Sequence, residues 1–204
     1  MNFVARQIRD PESRRRVIAA AWRLVAGQGV HATTMRAIAT EAGVTTGSVT
    51  HYFEDKAEVM ASVLRYNNKL AANRVLEAAA GKSGLKVIDS YAKAMLPLDE
   101  ERLKSWTVWL AFWGQHDAHR LVTREGAAAG YGAMSGWLVQ AFADAVAAGE
   151  LPDTVDPRYE SDRMQVLIGG LGLMAGGAPQ LLGDVRRRSR KMLAEHLATL
   201  AAKS

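Results

Sequence analysis

Cysteine is absent from the 204 residues, so the chain holds no disulfide and no thiolate-ligated zinc or iron–sulfur site. That fits a reducing cytoplasm. An uninterrupted hydrophobic run is missing as well. The longest charge-free stretch, Met164 to Gly183, approaches membrane-spanning length but contains six glycines, Pro179, Gln165 and Gln180. It reads as a buried helix and its exit loop, and no membrane partner is expected. Met1 to Pro11 carries Arg6, Arg9 and Asp10 without an apolar core, so no secretory signal is expected there. Runs of alternating β-branched residues and internal repeats are also lacking, and the fold class expected is all-α.

What is present suits a folded chain. Hydrophobic residues make up 49% and charged residues 23%, and the length allows two small domains, each with a core. The formal net charge of +5 points toward a polyanionic partner. Residues 1–66 hold nine Lys and Arg against six Asp and Glu, so positive charge is denser at the front.

Helical periodicity runs throughout. Asp10 is placed to cap a helix from 11 to about 26, with Pro11 in its first turn, Val17, Ile18, Ala21, Leu24 and Val25 on one face, and Gly27 and Gly29 ending it. Thr33 and Thr34 offer cap hydroxyls for a short helix over 35–42, Gly43 supplies a tight turn, and a second short helix is expected over 46–52. Asp55 and Glu58 form a capping-box-like pair that opens a long helix to about residue 80. Further helices are expected at about 85–95, 100–116, 119–148, 157–176 and 184–202, separated by Gly and Pro breaks. The domain division expected is 1–54 and 55–204, with the long helix joining the two.

The segment from Met35 to Tyr52 has the spacing of a helix-turn-helix. Ile38, Ala42, Val44, Val49 and Tyr52 supply a shared seam, Ala39 is small where the helices cross, and Gly43 makes the turn. An ordinary helical hairpin would not need the polar, uncharged row Thr45, Thr46, Ser48, Thr50 and His51. Such a row suits contact with major-groove base edges and the flanking phosphates. Gly47 reads either as a site of close backbone approach to the duplex or as a first-turn position where glycine costs little.

Thr33-Thr-Met-Arg-Ala-Ile-Ala-Thr-Glu-Ala-Gly-Val-Thr-Thr-Gly-Ser-Val-Thr-His-Tyr-Phe-Glu-Asp-Lys-Ala-Glu-Val resembles the N-terminal module of TetR-family regulators, including the Tyr52-Phe53 ending and the step from Phe53 to Lys56. The resemblance spans about residues 12–62. It implies a dimeric repressor with a palindromic double-stranded DNA operator and a variable C-terminal domain for a small-molecule effector and for dimerisation. Carried over by position, Thr34, Arg36 at the start of the second helix, Tyr52 and Lys56 touch phosphate, while Thr45, Thr46, Ser48, Thr50 and His51 face the groove. Many members have Lys or Arg in place of Thr46 and an aromatic in place of Thr50, so the resemblance carries no operator sequence. Trp109-Leu-Ala-Phe-Trp113 is similar to the subgroup that includes choline-responsive repressors of betaine synthesis, which suggests a ligand type.

In the second half, Trp106, Trp109, Leu110 and Trp113 fall on one helical stripe, with Phe112, Tyr131, Met134 and Trp137 nearby in sequence. The stripe reads as core packing, as the lining of a ligand pocket able to cage a cation on ring faces, or as both. His116 joins the candidate ligand contacts. His116, Asp117 and His119 also invite a metal reading, or helix-end surface roles. They are the best residues of the rival reading, a helical enzyme or metal-dependent protein, with Glu125 and Tyr131. No nucleophile–base pairing is apparent, and neither an enzyme nor a metal site is the expectation. A third reading is a DNA-binding module with a purely structural second domain.

Gly170-Leu-Gly-Leu-Met-Ala175 superficially matches a dinucleotide fingerprint, but no strand precedes it and no cofactor is expected. Small residues at 169, 170, 172, 176 and 177 suit close helix approach instead. With the apolar stripe of the last helix they suggest a two-fold interface carried by Met164, Leu167, Ile168, Leu171, Met192, Leu193, Leu197 and Leu200. Arg186, Arg187, Arg188, Arg190 and Lys191 read as a solvated helix face or a nucleic-acid patch.

Overall fold

The computed structural model describes residues 10–113, 127–178, 180 and 183–201, with backbone alone at 127–133 and 201. Among these residues every regular element is an α-helix. The first, α1 (Pro11–Ala32), starts where the Asp10 carboxylate accepts bonds from the Glu12 and Ser13 amides at 3.0 and 3.2 Å. The Ser13 hydroxyl bond, ahead of the amide bonds, holds the Asp10 carboxyl below its usual range. α1 runs past the expected stop. Gly27 is helical and the kink falls at Gly29 (φ 78°), because Val30 beyond it packs into the first core. Burying a valine is worth about 1.5–3 kcal/mol, more than the roughly 1 kcal/mol that glycine costs a helix.

Thr34 opens α2 (Met35–Ala42) by accepting from the Ala37 amide at 3.1 Å. Gly43 closes it in the left-handed region (φ 67°), with Val44 N–H bonding Ala39 at 2.9 Å and Gly43 N–H bonding Thr40 at 3.1 Å. That pair of bonds turns the chain between two short helices and needs a residue that tolerates positive φ. Thr45 caps α3 (Thr46–Tyr52) through the Ser48 amide at 3.1 Å. Asp55 caps α4 (Lys56–Ala79) through the Glu58 amide at 2.8 Å, while the Glu58 carboxylate reaches back to the Glu54 amide at 2.7 Å.

The remaining helices are α5 (Leu85–Met95), α6 (Glu100–Trp113), α7 (Ala127–Ala147), α8 (Pro157–Gly177) and α9 (Val185–Ala201). α5 lacks a cap of its own; its Leu85 amide donates to the Glu150 carboxylate at 2.6 Å from beyond α7. Asp156 caps α8 through the Arg158 and Tyr159 amides. None of the described helices is long and apolar enough to cross a membrane.

Two apolar cores lie along the chain, and they divide α4 between them. The first joins α1, α2 and α3 to Val59, Met60, Val63 and Leu64 of α4. The second gathers Val75 and Ala79 of α4 with α5, α7, α8 and α9. The long helix expected to join the two domains thus contributes to both cores. α6 serves both cores: Val108 and Phe112 enter the first and Trp106 the second.

The residues expected at a two-fold interface face inward. Met164, Ile168 and Leu171 of α8 and Leu193 and Leu200 of α9 are buried in the second core, and Leu167 and Leu197 pack against it. A side chain with no exposed surface has none to give a partner; Met192 is exposed, and Leu167 and Leu197 are half-buried. The outward face of α8 carries Tyr159, Val166, Leu173 and Met174 instead, with Val166 at 75% exposure.

Candidate nucleic-acid interface

The two short helices meet as the sequence spacing requires. Ile38, Ala39, Val49 and Phe53 are buried, and Ala42, Val44 and Tyr52 pack at the edge of the same cluster. With that seam filled, α3 turns its other side outward: Thr45, Thr46, Thr50 and His51 are exposed and Ser48 is half-buried. The polar row therefore lies on one continuous surface.

Its hydrogen bonds show what the row has left to offer. Thr45 and Ser48 hydroxyls lie 2.9 Å apart. Thr50 donates to the Thr46 and Gly47 carbonyls at 3.3 and 3.1 Å, which leaves its oxygen as an acceptor. His51 stands edge-on to Tyr52 with 5.4 Å between ring centres. A Cβ at Gly47 would meet only Thr45 Oγ1 at 3.7 Å, so nothing among the described residues demands glycine there.

The expected phosphate contacts belong to the start of α2, the end of α3 and the start of α4. Thr34 and Arg36 are exposed at the start of α2, and Arg36 has no ion-pair partner among the described residues. Tyr52 is half-buried, and the Lys56 ammonium donates to the His31 carbonyl at 3.4 Å. Arg14 of α1 lies over the Phe53 ring at 4.7 Å and 3.7 Å from the Glu58 carboxylate, tying the end of α3 to the start of α4.

The candidate ligand residues do not form a single lining. Phe112 is fully buried in the first core, because it shares the α1-facing side of α6 with Val108, and it offers a ligand no surface. Trp106 is buried too: its indole N–H bonds the Met95 carbonyl at 2.8 Å and its ring covers Gly172, where a Cβ would collide with it. The Trp106 site is filled core. Trp109 stands edge-on to Trp106 at 4.8 Å and packs against both cores, while Trp113 is 50% exposed. Met134 and Trp137 of α7 are half-buried, with Trp137 stacked on Tyr91 at 6.0 Å. His116, Asp117, His119, Glu125 and the Tyr131 side chain lie outside the described residues. Among the described residues no group of three acidic or histidine side chains is placed to hold a metal.

A buried polar relay connects these regions. Asn67, fully buried in α4, accepts from the Trp22 indole N–H of α1 at 2.8 Å and donates to the Ser105 carbonyl of α6 at 3.1 Å. Its neighbour Asn68 accepts from the Trp109 indole at 2.8 Å. Sequence reading passed over this pair because the partners lie 38 to 45 residues away; two asparagines inside a long helix were the only signal.

A helix-turn-helix with a solvent-facing polar recognition helix, carried on an all-helical second domain, defines a DNA-binding regulator. Residues 17–63 match the bacterial regulatory proteins of the tetR family, and residues 87–202 match the C-terminal domain of the BetI-type transcriptional repressor. The chain belongs to the TetR family, with a BetI-type C-terminal domain, and is a DNA-binding transcriptional regulator. It is 26% identical over 200 residues to the regulator PksA of Bacillus subtilis, covering 94% of this chain and 91% of that protein. The regulator BetI of Burkholderia ambifaria is 31% identical over 109 residues, 52% of this chain and 56% of that one. A transcriptional regulator from Saccharomonospora viridis, crystallised with choline, shares the fold with a TM-score of 0.74 at 22% identity, covering 91% and 97% of the two chains.

Proposed function

We propose that this chain acts in the cytoplasm as a homodimeric repressor whose paired α3 helices read a palindromic operator, and that a compact cationic or aromatic effector releases it. In this reading Thr45, Thr46, Ser48, Thr50 and His51 contact bases, and Thr34, Arg36, Tyr52 and Lys56 contact phosphates. The observation that carries the ligand response is the Asn67–Asn68 relay, which joins Trp109 of α6 to Trp22 of α1 through α4. A ligand at the Trp109–Trp113 end of α6 would press on α4, and the α1–α3 head bonded to it would follow.

Dimerisation is supported by the outward face of α8, where Tyr159, Val166 and Leu173 recur at seven-residue intervals. Gly169 and Gly170 leave open space beside them. Exposed apolar patches of this kind mark association sites. Cation recognition is supported by the tryptophans, whose ring faces attract quaternary ammonium groups, and by the choline held by the Saccharomonospora viridis regulator. Relatives named as transcriptional regulators favour this reading over a helical enzyme.

Coupling between sites typically amounts to about 1–3 kcal/mol and is reciprocal. Choline titrated by tryptophan fluorescence, with and without DNA selected for tight binding, tests it. The expected result is that the DNA weakens choline binding by the factor by which choline weakens DNA binding. Equal choline affinities in the two conditions would remove choline as the inducer, and absence of choline binding would remove the cationic effector from the reading.

A further inference from the structure

An open recess of about 540 Å³ lies where α4, the loop after it, α5 and α6 meet. Its lining holds four cations, Arg74 of α4, Lys82 of the loop, Lys93 of α5 and Arg102 of α6, against the carboxylates of Glu77 and Asp89. The recess is separate from the aromatic end of α6.

Of the four cations, Lys82 alone has no carboxylate partner among the described residues. Lys93 is satisfied by Asp89 at 2.7 Å, and Arg102 by Asp99 at 3.0 Å and the Lys93 carbonyl at 2.7 Å. Lys82 has only a neutral partner: its ammonium donates to the Ser90 hydroxyl at 2.7 Å, and no carboxylate pairs with it among the described residues. Arg74 is largely buried, and its nearest carboxylate, at 3.4 Å, belongs to the well-exposed Glu101. Burial pulls its guanidinium below the usual arginine range. The Nε donors of both Arg74 and Arg102 are buried without a hydrogen-bond partner. The recess thus leaves the Lys82 ammonium without a countercharge and two buried donors unpaired, where buried donors are normally paired.

The geometry points to this recess as a binding site for a compact polyanion, a small molecule bearing a phosphoryl group or several carboxylates, held by Lys82 and Arg74 with Ser90 beside them. Charge-assisted bonds from an ammonium and a guanidinium suit such oxygens. An anion bound there joins α4 to α5 and α6, so it bears on the helix that carries the DNA-binding head. Binding itself does not depend on the effector reading above.

Calorimetric titration of the full chain at fixed ionic strength, with inorganic phosphate and citrate as separate probes against chloride, tests the site. Saturable binding is expected for at least one probe. Phosphate alone would mark a phosphoryl ligand and citrate alone a polycarboxylate. Lys82→Gln should weaken the binding about tenfold or more, as loss of one charge-assisted bond requires, and Lys82→Arg should restore it. Arg74→Gln should act in the same direction. Because Lys82 is exposed, its variant retains the fold and carries the test even where Arg74→Gln unfolds. No saturable heat with either probe, or Lys82→Gln binding like the parent, overturns the site.

Discussion

Gly47 stands where the folded chain needs no glycine, since a Cβ there would make only an ordinary contact with Thr45. Gly47→Ala should therefore leave the protein as stable or firmer by about 0.5–1 kcal/mol, through reduced backbone freedom in the unfolded chain. If the groove approaches the backbone closely, DNA affinity should fall in the same variant. Thermal melting beside DNA titration separates the two effects, and unchanged DNA affinity would leave the first-turn reading of Gly47. Asn67 makes the opposite case. Removing its carboxamide in Asn67→Ala strands the Trp22 indole N–H in the interior, at about 1–3 kcal/mol, while the mid-helix Ser105 carbonyl stays in the α6 ladder, so denaturant unfolding should show a loss of at least about 1 kcal/mol. A smaller loss would mean that water satisfies the relay. Caps such as Asp10, Thr34 and Asp55 were legible in the sequence because a cap and the amide it serves lie within a turn. Asn67 was not, because its partners are brought together only by tertiary packing.

Among the elements, α3 is the proposed reading surface. His51→Ala and Thr46→Ala should each reduce discrimination between operator and random DNA by about 1–3 kcal/mol, whereas Lys56→Ala should weaken both DNAs alike. Competition binding measures this; equal losses on both DNAs for all three variants would contradict the assignment of α3. α6 is a different kind of element, apolar on two sides, with Val108 and Phe112 directed to the head and Trp106 to α8. Periodicity identified its tryptophan stripe but not which neighbour covers each face, and so core packing and ligand lining both stayed open for Trp106 and Phe112. Trp106 fits because α8 has no side chain at Gly172. Gly172→Ala should overpack this crossing and cost about 1–3 kcal/mol in unfolding experiments. A neutral outcome would show that α6 and α8 separate freely.

For the whole molecule, the all-helical class and the order of helices were legible because 3.6-residue periodicity and Gly or Pro breaks are local signals. Which apolar faces meet within one chain and which meet a second copy was not. Met164, Ile168 and Leu171 carry the same pattern as an interface helix, yet one chain's own core takes them and leaves Val166 and Leu173 outside. Two copies joined by that outer face would present two α3 helices to one DNA. Selection of bound fragments from a random DNA pool tests this central claim most directly. The account predicts an enriched inverted repeat whose half-sites lie about one helical turn, roughly 34–36 Å, or a related spacing apart. It also predicts that the enrichment weakens when the selection is run with His51→Ala. No enriched sequence, or a lone half-site without its inverted partner, would contradict it.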